Sequence, residues 1–295
     1  MNKEILITAK SADGVHLAYR IFRKQGLRPL ITMVHGMASN MTRWSEFVEE
    51  TSLKLKWDLL RVDLRGHGQS VVRGRLHGRL NHDRWCDDIC TILSAEGYHS
   101  SVFIGHSMSA QTVLRCAVRY PEKVQGLVLI DPVFKQAIQG KYRFAGHFRI
   151  LLYFILRVVW LFNALGVRRA RIKALDLKQL DKRMSEILDE YPAADIDTLY
   201  ASPIADLKIC PTATYIQDII ALYEATPEMR NITVPILVLL SKGNETCDPD
   251  RIKKYLSPLT NCKVVEIEAN HWQLTEKPTE VRIAIEKWCD QLPDE

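Results

Sequence analysis

An apolar run, FIGHSMSAQ at residues 103–111, ends in Gly105, His106, Ser107, Met108 and Ser109 and passes into a helical pattern. A Gly-x-Ser-x-Gly turn between a strand and a helix holds its serine in a strained corner with the hydroxyl exposed, the posture of a nucleophile. The corner crowds the residues two before and two after the serine. Gly105 meets that demand, and Ser109, standing where the closing glycine would be, is larger but still small. A serine hydroxyl is a weak nucleophile without a base beside it. Imidazole titrates near neutrality and can both take and return the proton. His271, in EANHWQLTEKP at 268–278, lies between the last strand-like run and the last helical one. The bland alternatives are an ordinary serine in a strand-to-helix turn and a surface histidine in a loop. His16, His77, His82 and His99 read as histidines of that surface kind.

Elements at regular intervals would position these residues. EILITAK and VHLAYRIF read as an opening pair joined at Asp13-Gly14. Strand-like runs follow at 30–36, 57–64, 100–106, 126–131, 235–241 and 263–268, mostly continuous Val/Ile/Leu segments. Such runs are how strands buried on both faces of a parallel sheet read. Helical patterns fall near 42–55 and 82–96, from Ser107 to Pro121, after Asp248-Pro249, and from Pro278 to Cys289. This alternation predicts a three-layer α/β sheet. Residues 132–230 break the rhythm with helical stretches and no convincing strand, and read as a helical cap inserted between two strands.

Two further motifs complete the pattern. MVHGMASN ends a strand with His35-Gly36, and DLRGHGQS (63–70) follows the next strand. The order and spacing of the four motifs resemble the α/β-hydrolase fold family, especially its lipase, esterase and carboxylesterase-like members with an inserted cap. The resemblance covers nearly the whole chain and is weakest across the cap. It implies a mostly parallel eight-stranded sheet flanked by helices, with a core of 1–131 and 231–295 and a cap or lid of 132–230. It implies Ser107 as nucleophile and His271 as base, with the backbone N–H groups of Met37 and Met108 as oxyanion hole. Gly36 and His106 would line the substrate, unless His106, like His35, merely packs beside the site. Neither metal nor cofactor is implied.

The acid leaves alternatives. Similar proteins carry an Asp in a Gly-x-x-Asp turn after the strand read here as 235–241, but that count lands on Asn244. Counting back from Pro249 lands on Glu245, which is the first candidate. Asp131, at the end of the preceding strand, is the outside candidate, and Asp248 is better explained as a helix cap. Asp63 and Arg65 read as loop-fixing residues. A serine rather than an aspartate in the elbow argues against the epoxide-hydrolase and haloalkane-dehalogenase branches. The chain has no Walker loop, no dinucleotide glycine pattern after its early strands and no metal-ligand spacing.

The 295 residues are 47% hydrophobic, a globular composition that suits one large domain with an insertion. MNKEILITAK lacks the apolar core of a signal peptide, and seven scattered cysteines suggest free thiols, so a cytoplasmic setting is expected. The net charge of +5 is uneven: Lys135–Lys173 holds nine Lys or Arg, and no acid lies between Asp131 and Asp176. That patch argues for an anionic surface, not for nucleic acid along the protein. Within it, FRILLYFILRVVWLFNALGVRRARIK (148–173) carries only Arg157 and Asn163 as polar residues from Ile150 to Leu165. The run falls short of a bilayer span, and a crossing there would part Ser107 from His271. A lid lying at the inner membrane face, a packed cap helix and a dimer interface are the alternatives, with Arg168, Arg169 and Arg171 suited to anionic headgroups. The expected activity is hydrolysis of carboxylic esters of lipophilic substrates, monoacylglycerol-type lipids among them, through an acyl-enzyme. A ligand-binding protein on the same scaffold, and acyl transfer or C–C hydrolysis by the same residues, are the rivals.

Overall fold

The computed structural model describes residues 4–24, 26, 28–71, 78–168, 172, 175–191, 202–243 and 246–293. Eight strands form one sheet: β1 (Ile5–Lys10), β2 (His16–Phe22), β3 (Leu30–Val34), β4 (Asp58–Val62), β5 (Ser101–His106), β6 (Val124–Ile130), β7 (Ile236–Ser241) and β8 (Cys262–Ile267). Their order is β1-β2-β4-β3-β5-β6-β7-β8. β2 runs antiparallel to both neighbours, and every other pairing is parallel. β3, β4, β5 and β7 are buried at every residue, because helices cover both faces of the sheet. The outer strands β1 and β8 expose most of the sheet's accessible side chains.

The helices of the core are α1 (Ser45–Glu50), α2 (His82–Ala95) and α3 (Met108–Arg119). The helix expected over 42–55 is broken. Thr51 turns extended, and its hydroxyl accepts from Leu53 N to begin a separate tight turn, Ser52–Leu55. Between β6 and β7 the described elements are helices: α4 (Gly140–Ala145), α5 (Arg149–Ala164), α6 (Leu177–Glu190), α7 (Pro203–Ile209) and α8 (Thr212–Leu222). After β7 come α9 (Pro249–Leu256), α10 (Gln273–Glu276) and α11 (Pro278–Cys289), and Asp248 caps α9 by accepting from Asp250 N and Arg251 N.

This insertion does not separate cleanly from the sheet. Val133, Phe134, Ala137 and Ile138 at its start, and Ala221, Tyr223 and Met229 at its end, belong to the main apolar core. Leu156 of α5 packs apart from that core, with Ala213, Ile216 and Ile220 of α8. The change in packing therefore falls inside the 132–230 segment rather than at its two ends.

Candidate active site

β5 ends at His106 and α3 begins at Met108, which leaves Ser107 alone in the corner. Its backbone is in the left-handed region, φ 55° and ψ −117°, a conformation that costs an L-residue on the order of 1–3 kcal/mol and persists only where packing enforces it. The enforcing contact is at Gly105, where a Cβ would lie 2.6 Å from Ser109 O. Ser109 is fully buried, and its Oγ accepts from His106 N (3.0 Å) and lies 2.8 Å from Val34 O. The residue that departs from the glycine pattern thus ties the corner to β3.

A continuous chain of hydrogen bonds leaves Ser107. Its Oγ is 2.8 Å from His271 Nε2, and His271 Nδ1 is 2.5 Å from Asp131 Oδ2. Asp131 Oδ1 in turn accepts from Ser241 N at 3.1 Å. An ionised carboxylate on Nδ1 fixes the proton there and leaves the Nε2 lone pair facing the serine. All three residues are less than a tenth exposed.

Among the described residues, the carboxylate on His271 Nδ1 is that of Asp131, the outside candidate from the sequence. Asn244 and Glu245 lie outside the described residues. The physical reason is register. β6 is the immediate neighbour of β5, with Ile130 opposite His106, so Asp131 emerges beside Ser107, one strand nearer than the turn after β7. Asp131 also has a positive φ of 44°, the left-handed conformation that Ser107 shares. Glu276 went unnoticed in the sequence. Its carboxylate accepts from Asn270 N (3.0 Å) and Trp272 N (3.2 Å), clamping the loop that carries His271 from both sides.

Met108 is the first residue of α3, so its N–H is one of the amides that a helix start leaves without an internal partner. Met37 follows Gly36, at which a Cβ would be 3.3 Å from Ser107 Cβ, so this loop passes tightly against the corner. His35 braces the loop: its Nδ1 is 2.8 Å from Gly36 O, and Leu64 N donates to its Nε2 at 3.1 Å. Burial pushes His35 well below the ordinary histidine range, consistent with a neutral ring donating through Nδ1. His106 is also pushed well down by burial, and stacks on His271 with ring centroids 5.6 Å apart. It is 4% exposed, and packs against the His271 ring.

The loop DLRGHGQS is held as expected. Asp63 accepts from Met41 N and Gln69 N, both at 2.7 Å, and Arg65 forks onto Asp88 and Asp13. His82 is a correction: it is fully buried, not a surface histidine, bonded to Thr112 Oγ1 (2.9 Å) and Ala221 O (3.1 Å). His16 and His99 are exposed, and His77 lies outside the described residues. His67 was not singled out by its spacing. Its Nε2 is 2.8 Å from Asp218 Oδ2, which also accepts from Ala38 N (3.3 Å) next to Met37. Burial opposes charge on His67, but Asp218 and Cys210 outweigh it and hold the ring well above its ordinary value. None of the seven cysteines is in a disulfide.

α8, which carries Asp218, is also the helix on which α5 packs. The outer face of α5 is bare, with Ile150 85%, Phe154 65% and Leu161 60% exposed. The helical run Tyr142–Ala164 is 23 residues long, enough to cross a membrane by length and composition. This exceeds the sequence expectation because the turns before Arg149 join the helix. Leu156, Leu152 and Val159 nevertheless pack against α8, which fixes the run along the protein surface.

A family model described as "Serine aminopeptidase, S33" matches residues 25–272. A Haemophilus influenzae protein named "Probable lysophospholipase L2" is 26% identical over 279 residues, covering 90% of this chain and 84% of that protein. The first curated relatives are matched over less, between 33% and 42% of their own lengths. An esterase from Exiguobacterium antarcticum superposes with a TM-score of 0.70 at 14% identity, covering 97% of this chain and 100% of its own. A thermophilic esterase from Thermogutta terrifontis gives 0.66 at 20% identity, covering 98% and 99%. These two likenesses are likenesses of fold.

Proposed function

The chain belongs to the Serine aminopeptidase, S33 family of α/β hydrolases, and from that membership we propose that it is a serine hydrolase of carboxylic esters with a lipophilic acyl or alcohol part, monoacylglycerol-type lipids included. The observation that carries this reading is the unbroken chain Ser107–His271–Asp131 at a strained strand-to-helix corner. Ser107 Oγ attacks the acyl carbon while its proton passes to His271 Nε2. The resulting imidazolium keeps its Nδ1 proton on Asp131, which stabilises the charge and holds the ring in place. Nε2–H then protonates the departing alkoxide, leaving an acyl group on Ser107. Water, deprotonated by the same Nε2, attacks that acyl group and restores the serine. Met37 N–H and Met108 N–H face the developing oxyanion, each worth about 3 kcal/mol in such sites.

The lipophilic substrate is supported by the insertion. Large apolar side chains exposed on one helix face exceed what a solvated surface carries without purpose. Arg143, Arg157 and Arg168 on the same stretch are exposed, and no acid lies between Asp131 and Asp176. The reading that fits both is a helix lying in the plane of an anionic bilayer, at the cytoplasmic face, with the insertion as a lid. A series of p-nitrophenyl esters from acetate to palmitate tests the enzymatic reading. Turnover is expected to favour the longer acyl chains and to vanish in Ser107→Ala. Cleavage of aminoacyl p-nitroanilides with no ester turnover would contradict it.

A further inference from the structure

The sequence offers no metal-ligand spacing, yet the fold gathers three donors from distant places. His67 follows β4, Cys210 follows α7 and Asp218 lies in α8. The ligand atoms of His67, Cys210 and Asp218 all lie within 4.8 Å of one another. The three residues are 1%, 1% and 0% exposed. We propose that His67, Cys210 and Asp218 form a zinc site that pins the helical insertion to the sheet, directly behind the loop carrying Met37.

A second observation points to a cation. Asp218 Oδ2 already accepts from His67 Nε2 and Ala38 N, but Asp218 Oδ1 is buried with no hydrogen-bond partner among the described residues. Buried carboxylate oxygens are ordinarily satisfied, and a metal ion satisfies one where no N–H is within reach. The donor set selects the ion. One thiolate, one imidazole and one carboxylate suit zinc, whereas calcium and magnesium take oxygen donors. Zinc bonds of about 2.0–2.3 Å place tetrahedral ligand atoms roughly 3.3–3.7 Å apart, so closure from the observed spacing needs side-chain shifts on the order of 1 Å.

Zinc binds thiolate, carboxylate and neutral imidazole, so a dication held by Cys210, Asp218 and His67 sums to zero, with the protons those ligands give up passing to solvent. The buried site therefore needs no additional counter-ion. Occupancy ties α7 and α8 to the loop after β4. Through the Asp218–Ala38 contact it also stiffens the backbone next to Met37.

The test uses the full chain expressed in zinc-supplemented medium, so that the buried site is loaded during folding. Metal analysis after gel filtration is expected to find about one zinc per chain. The cobalt-substituted protein should show thiolate-to-metal charge-transfer absorption in the near ultraviolet. Cys210→Ser should remove that band and lower metal content at least tenfold, whereas His16→Gln should change neither. Chelator-stripped wild-type protein should melt below the zinc-loaded form. Wild-type protein that emerges without zinc overturns the proposal, as does metal content unaltered by Cys210→Ser. If Cys210→Ser does not fold, the wild-type pair decides: a missing cobalt band, with equal melting of loaded and stripped protein, is equally fatal.

Discussion

Two helices of similar length teach opposite lessons about apolar sequence. α3 (Met108–Arg119) contains Ser109, Gln111, Thr112, Arg115 and Arg119, yet nine of its twelve residues are buried. α5 (Arg149–Ala164) is nearly all apolar, yet only Leu156 of its sixteen residues is buried. Burial follows position in the fold, not composition. α3 lies against the central strands β5 and β6, and polar groups on it find partners there: Gln111 Nε2 donates to Val133 O (2.7 Å), and Thr112 meets His82. α5 packs chiefly along α8, with Tyr153 also meeting Arg79. The helix that must hold the corner rigid is buried along most of its length, and the most apolar helix is left largely exposed.

The largest expected effects are at the corner that α3 supports. Asp131→Asn should lower kcat by about ten-thousand-fold, because the amide favours the wrong histidine tautomer and cannot stabilise imidazolium. Glu245→Gln should leave kcat within a few-fold of wild type, and steady-state kinetics of both variants would show whether the roles are reversed. Next comes stability. Leu114→Ala in α3 should cost about 2–5 kcal/mol in urea unfolding, whereas Leu161→Ala on the bare face of α5 should stay within about 0.5 kcal/mol. Equal costs would mean that α5 is covered in solution by a second copy or another element.

His82 links the two regions, touching Thr112 of α3 and Ala221 of α8. Burial lowers it from 6.5 to about 4, so the unfolded chain binds more protons than the folded one between those values. Stability gained above pH 6.5 is therefore lost as pH falls towards 4, by up to about 3 kcal/mol from this group. Thermal melts across that range should show the loss, and His82→Gln should flatten it by about one proton. The smallest effect is at the face proposed to dock on a membrane. Changing Arg168, Arg169 and Arg171 to Gln should weaken binding to anionic vesicles by about 1 kcal/mol per charge, and salt should mimic the change. Soluble short-chain ester turnover should be untouched. Phe154→Ser should weaken binding at every salt concentration, and wild-type protein that binds no vesicle would end the docking proposal.

Much of this was legible without coordinates. The strands announced themselves because burial on both faces requires uninterrupted Val/Ile/Leu runs, and Ser107 because the corner demands small residues around it. The acid was not legible by counting along one loop. Which carboxylate reaches His271 depends on strand order, and LVLID ends in an aspartate beside the nucleophile strand only once β6 is known to neighbour β5. The same limit hid His82 and His67. A histidine in a polar stretch looks like surface until a helix from the insertion folds over it, and Ala221 and Asp218 are more than a hundred residues away. Thr51 broke a helical pattern for a local reason, its own hydroxyl offering Leu53 N a competing partner.

The central claim is that Ser107 is a nucleophile activated through His271 and Asp131. Reaction with a fluorophosphonate, followed by intact-mass and peptide mapping, tests it most directly. The account predicts a single adduct on Ser107, absent in Ser107→Ala and strongly slowed in folded His271→Ala and Asp131→Asn. A folded wild-type protein that takes no adduct, or that takes it on another residue, would contradict it.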